Sequence, residues 1–72
     1  MVKFPELAKL MATYGLTRKS LAKIINKSPA AVTGKMSGAI DWKRPDMVSI
    51  TVYFKQYDPS ITMDKIFYPD GN

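Results

Sequence analysis

The stretch Leu16-Thr17-Arg18-Lys19-Ser20-Leu21-Ala22-Lys23-Ile24-Ile25-Asn26-Lys27-Ser28-Pro29-Ala30-Ala31-Val32 decides how this chain folds. Thr17 is a good helix N-cap, because its side-chain oxygen can take an orphan amide of the first turn, and Leu16 ahead of it suits a hydrophobic staple. Leu21, Ala22, Ile24 and Ile25 make a buried stripe at helical spacing, and Arg18, Lys19 and Lys23 fall outside it. Asn26 tolerates a left-handed backbone, so the helix is expected to end there. Ser28-Pro29 then gives a second start, a cap followed by proline at the first helical position. The next helix is expected over 29–36, with Val32 and Met36 facing inward and Ser37-Gly38 as its stop.

The same signals extend outward. Pro5 suits a first helical turn, and Leu7, Leu10, Met11 and Tyr14 follow at helical spacing, with Phe4 ahead and Gly15 as a left-handed stop. A helix is expected over 5–14. Residues 39–44 read as a loop holding the one tryptophan, Trp42. Past Pro45 the pattern is ambiguous. Met47, Ile50, Phe54 and Tyr57 fit a helix, whereas Val48, Ile50, Val52 and Phe54 fit a strand, which β-branching favours. Asp58-Pro59 reads as a turn, and Thr62 as the cap of a short helical piece through Phe67. Residues 1–68 are expected to form one domain and 69–72 a short tail.

With 72 residues, there is room for one small core. The chain has no Cys and no His, which removes disulfides, thiolate or imidazole metal sites, Cys nucleophiles and imidazole bases. The Asp residues fall in no catalytic pattern, so an enzyme is not expected, nor a metal or cofactor. The longest uncharged stretches, 10–17 and 47–54, hold 8 residues each, against the roughly 18 that span a bilayer. No apolar signal region opens the chain, and a membrane partner is not expected.

The net charge of +5 is uneven. Residues 1–44 hold nine bases and two acids, a balance of +7; residues 45–72 hold two bases and four acids, a balance of −2. Between Lys9 and Lys35 there is no acid at all. Solvated helical surfaces usually mix signs, because like charges at i, i+4 repel, so a one-signed stretch points to a polyanion, nucleic acid first.

Two short helices joined by a turn, the second with small outward residues, is the sequence form of a helix-turn-helix. The 16–32 stretch resembles the Cro and phage-repressor (lambda-repressor-like) family, whose pattern is Leu-(Ser/Thr), three variable positions, Leu-Ala, a Gly-like turn, Ser and a β-branched core residue. Ala22 is the most telling match, because the two helices cross there. Lys35-Met36-Ser37-Gly38 looks like the family's Leu-Asn-Gly ending, Trp42 stands where an aromatic precedes the fourth helix, and 61–67 looks like the closing segment. The resemblance covers about 65 residues at low identity. It implies an all-α, compact bundle of four to five short helices and favours a helix over 44–56. It also implies a Cro-like transcriptional repressor, dimeric on a two-fold operator of double-stranded DNA. The location implied is the bacterial cytoplasm, on the nucleoid when DNA is bound.

The implied DNA face is the helix over 29–36 with its flanks. Arg18 and Lys19 are expected to hold phosphates, the family placing a contact at that helix start, together with Lys35 and with Lys43 or Arg44 in the following loop. Pro29, Ala30, Ala31, Thr33 and Gly34 make the outward face; Ala30 and Ala31 suit thymine methyls, and Ser28 or Thr33 can donate a hydrogen bond. Asn26 replaces the family's usual Gly at little cost. The larger departure is that no Arg, Lys, Gln or Asn, the usual bidentate readers of base edges, stands on this face before Lys35. An alternative stays open, in which the protein is a modulator or antirepressor that binds a partner repressor through this helix. Met11, Met36, Met47 and Met63 are expected as core fillers and Trp42 as a core plug. Tyr53, Tyr57, Phe67 and Tyr68 exceed what a small core needs and are expected on a self-association surface, consistent with a homodimer.

Overall fold

The computed structural model describes residues 4–68. Helices are the regular structure of the described residues, with no strand among them: α1 (Pro5–Thr13), α2 (Arg18–Ile25), α3 (Pro29–Ser37), α4 (Arg44–Lys55) and α5 (Met63–Phe67). The all-α expectation is met, with ends within about one residue of those read from caps and stops. The tail expected at 69–72 lies outside the described residues.

The caps explain the boundaries. The Thr17 hydroxyl accepts the Ser20 amide at 3.1 Å, the Ser28 hydroxyl accepts the Ala31 amide at 3.1 Å, and Thr62 accepts the Lys65 amide at 3.2 Å. Gly15 (φ 69°) and Asn26 (φ 59°) take the left-handed conformation. Each is followed by an amide that reaches back five residues: Leu16 to the Met11 carbonyl at 2.8 Å and Lys27 to the Ala22 carbonyl at 2.9 Å. These are the 6→1 bonds that close a Schellman ending.

The core is built from Leu7, Leu21, Val32, Ile50, Phe54 and Ile66, all essentially without exposure. α2 packs on both α3 and α4, and α5 packs on α1 and α4. Met11 and Met47 are buried, and Met36 and Met63 pack against the cluster from its edge. Trp42 plugs the core from the α3–α4 loop, edge-on to Phe67 at 5.2 Å and to Phe4 at 6.0 Å between ring centroids. No described helix is long and apolar enough to cross a membrane.

The ambiguous 44–56 segment is a helix because of what it buries. Met47, Ile50, Thr51 and Phe54, at i, i+3, i+4 and i+7, face inward. A strand would have put Val48 and Val52 on the same face as Ile50 and Phe54. The helix instead sends both valines outward, 42% and 59% exposed.

Candidate nucleic-acid interface

α2 begins with two cations. Arg18 and Lys19 are its first two residues, both exposed, and no acid stands in that turn. α4 begins in the same way, with Lys43 at the N-cap and Arg44 as first residue, again exposed and with no side-chain cap. The positive end of a helix dipole disfavours cations by about 0.3–1 kcal/mol each, so both starts are electrostatically poor for stability. Asp46, the one acid in the first turn of α4, is engaged elsewhere. Lys23 and Lys27 add to the exposed charge of the α2–α3 region. Among the described residues, none of these cations lies within ion-pair distance of a carboxylate.

Lys35 behaves differently, and its expected phosphate role is corrected here. The residue is 4% exposed, and its ammonium lies 3.2 Å from Oδ2 of the equally buried Asp46. The ammonium donates its aligned hydrogen bond to the Asp41 carbonyl at 3.0 Å and lies 5.7 Å from the centre of the Trp42 ring. Asp46 Oδ2 accepts no aligned hydrogen bond, so its link to Lys35 is coulombic. The charge is consumed in clasping α3 to the α3–α4 loop and α4. The helical period held the signal, since Lys35 stands at i+3 from Val32 on the inward stripe.

The outward side of α3 presents Pro29, Ala30 and Thr33, all exposed, with Ala31 half-buried beside them. Gly34 does not belong to an open face. The Ile40 side chain lies over it, so that a Cβ at position 34 would stand 2.6 Å from Ile40 Cδ1, and the Ile40 amide donates to the Gly34 carbonyl at 3.1 Å. Glycine here admits the returning loop, and Ile40, 44% exposed, takes its place on the surface. Sequence reasoning passed over Ile40, whose position depends on how the loop folds back.

The hydroxyls of this face all bond to the backbone. Ser28 caps the helix, Thr33 donates to the Pro29 carbonyl at 3.1 Å, and Ser37 donates to the Gly34 carbonyl at 3.0 Å. The Thr33 donor is therefore drawn to the backbone, whereas the Ser28 hydroxyl only accepts in its cap and keeps its O–H available, amid a face made mostly of methyl and ring carbons.

The four aromatics expected on one self-association surface are not brought together. Phe67 is buried at 5% and belongs to the core. Tyr68 lies by Met47, its hydroxyl 3.9 Å from the Met47 sulfur. Tyr53 and Tyr57 lie toward the other end of α4, and Tyr57 stacks on Tyr14 with centroids 4.8 Å apart. The Tyr53 and Tyr57 hydroxyls are 3.4 Å apart, a contact that raises the Tyr53 phenol above its ordinary pKa.

The fold and surface define a small all-α protein with an unneutralised cationic region around α2 and the start of α4. No family model, curated protein or solved structure matches the chain.

Proposed function

We propose that the protein is a DNA-binding transcriptional regulator of the Cro-like kind, holding phosphates with Arg18, Lys19, Lys43 and Arg44 and presenting α3 to the major groove. The observation that carries this reading is the pair of exposed cations at the start of each of two helices, where the dipole opposes them; the first turn of α2 has no acid, and Asp46 in that of α4 is paired with Lys35. A bound phosphate turns that conflict into attraction, because free amides, the helix dipole and both side chains then act on one anion. Sequence preference rests on close approach and methyl contacts, with Ala30, the Thr33 methyl and Ile40 against thymine methyls, and on DNA shape. Such a regulator works in the cytoplasm, where the DNA is.

A second reading is favoured by the apolar make-up of the α3 face. A carbon-lined α3 face without bidentate side chains also suits a partner repressor protein, and the cations then steer an acidic partner. A salt titration separates the two. Four phosphate contacts give a log–log slope of affinity against salt of about −3.6 for duplex DNA. Arg18→Glu with Lys19→Glu is expected to weaken DNA binding about 100-fold while helical circular dichroism is kept. A flat salt response, or binding that survives the double reversal, overturns the DNA reading. Ala30→Glu, at an exposed site, blocks whichever partner α3 meets.

A further inference from the structure

α2 and α4 leave a shallow groove between them, lined by Ile24, Val48, Ser49, Val52, Tyr53 and Gln56. Its floor is recessed, with Ile24, Ser49 and Tyr53 half-buried, and Val48 and Val52 stand exposed one turn apart along its α4 wall. Two exposed β-branched residues add nothing to helix propensity and leave apolar area in water.

The borders of this groove are cationic on both sides. On α4, Arg44 stands four residues before Val48 and Lys55 three after Val52, so both share the stripe of the valines. On the α2 side, Lys23 adjoins Ile24 and Lys27 follows just beyond the helix end. All four are exposed, and none lies within ion-pair distance of a carboxylate among the described residues. Lys55 reaches a neutral group, the Pro59 carbonyl, at 3.4 Å. The one acid on either helix, Asp46, is buried against Lys35.

We infer that this groove docks an acidic amphipathic helix of a partner protein, which lays an apolar ridge on Ile24, Val48 and Val52 and sets carboxylates against Lys23, Lys27 and Lys55. Charge selects the occupant, because only acidic flanks compensate two cationic borders, and a basic or neutral segment brings no such gain. Shape selects a helix, since a groove between two helices accepts a ridge of side chains spaced i, i+3 or i+4, and i+7. The α4 wall from Val48 to Gln56 spans about 12 Å, which about two turns of the partner fill. Duplex DNA meets the same cations but has no apolar ridge to cover the valines. A flat membrane surface covers Val52 but leaves the recessed Ile24 without a contact. This groove is separate from the outward side of α3, so the inference does not depend on what α3 contacts. Arg44 is shared with the proposed phosphate contacts and is left unchanged in the variants below.

Titration of the full chain with a synthetic peptide of about 18 residues, long enough to populate a helix, tests the inference. The peptide carries leucines along one helical face and glutamates on both flanks. The expected result is saturable binding, with amide chemical shifts moving most at Ile24, Ser49, Val52 and Tyr53. Affinity is expected to fall about three- to tenfold from 50 mM to 500 mM sodium chloride, as screening weakens the charge pairs. Val48→Gln with Val52→Gln keeps the net charge and is expected to weaken binding at least about tenfold, with helical dichroism unchanged. Lys23→Gln with Lys27→Gln is expected to weaken it about tenfold as well. Absence of saturable binding up to 1 mM peptide overturns the proposal. So does equal affinity for a peptide of the same composition with its leucines shuffled, which leaves charge attraction alone. Shifts centred on Ala30 and Thr33, or binding undiminished in the valine double variant, overturn the assignment of this groove. Phosphatidylglycerol vesicles that bind the parent chain but not the valine double variant assign the face to a membrane and overturn the partner helix.

Discussion

The start of α2 and the end of α3 are both cationic, but they are organised in opposite ways. Lys35 lies in the last turn of α3, where the helix dipole favours a cation, and it is buried against Asp46, the Asp41 carbonyl and Trp42. Arg18 and Lys19 lie in the first turn of α2, where the dipole disfavours them, exposed and without an acid in ion-pair reach among the described residues. One arrangement serves the fold. The other lowers the stability of its own helix and makes physical sense once an anion arrives. A single basic stretch thus splits into a structural charge and binding charges, a distinction that net charge conceals.

The comparison breaks most visibly at Asp46. Asp46→Ala leaves the Lys35 ammonium buried without its counter-ion, which costs about 3–5 kcal/mol. At about 4–8 °C per kcal/mol for a chain of this size, thermal denaturation is expected to show a melting temperature lowered by about 12–40 °C. Lys35→Met combined with Asp46→Leu is expected to recover most of that loss. A single Asp46→Ala that melts like the parent would show that the clasp contributes nothing.

The opposite sign is expected at α2. Arg18→Glu with Lys19→Glu, the pair that weakens DNA binding, places acids at the positive end of the helix. It is expected to raise stability by about 1 kcal/mol, read as a higher melting temperature at low salt. A fall in melting temperature would remove the claim that these cations oppose their helix.

Smaller effects sharpen the reading of α3. Gly34→Ala gains about 1 kcal/mol of helix propensity but displaces the end of Ile40, so the net change in chemical denaturation is expected within about 0.5 kcal/mol of zero. With Ile40→Ala added, the propensity gain of Gly34→Ala is expected to appear in full against the Ile40→Ala background.

The smallest effect is one of pH. The Ser60 hydroxyl donates to Asp58 at 2.7 Å and the Ser60 amide at 3.0 Å, and these bonds hold the Asp58 carboxyl below its ordinary pKa. The stabilisation is therefore complete above the unfolded value of about 3.9 and is lost as pH falls through the folded one. Stability measured from pH 6 to pH 2 is expected to fall less steeply at the acid end in Asp58→Asn than in the parent.

Much of the fold was legible because its signals are local. Thr17, Ser28 and Thr62 cap helices, and Gly15, Asn26 and Gly38 stop them, through bonds that span only a few residues. The candidate site was legible in part. Arg18, Lys19, Lys43 and Arg44 are exposed as expected, and so are Pro29, Ala30 and Thr33. Lys35, Gly34 and Phe67 were assigned to surfaces they do not occupy. Each is placed by a residue distant in sequence or by a folded-back loop: Asp46 for Lys35, Ile40 for Gly34, and Phe4 with Trp42 for Phe67.

By itself the sequence determined the starts and stops of α1, α2, α3 and α5 and the cationic character of the first two-thirds of the chain. These follow from side chains acting on their own neighbourhood. Only the tertiary structure decided that 44–55 is a helix, that Lys35 and Asp46 neutralise each other inside it, and that Val48 and Val52 are left outside. The β-branched residues of α4 suit a strand as well as a helix. The choice is made by the core, which accepts Met47, Ile50, Thr51 and Phe54 from one side of a helix and has no place for the two valines.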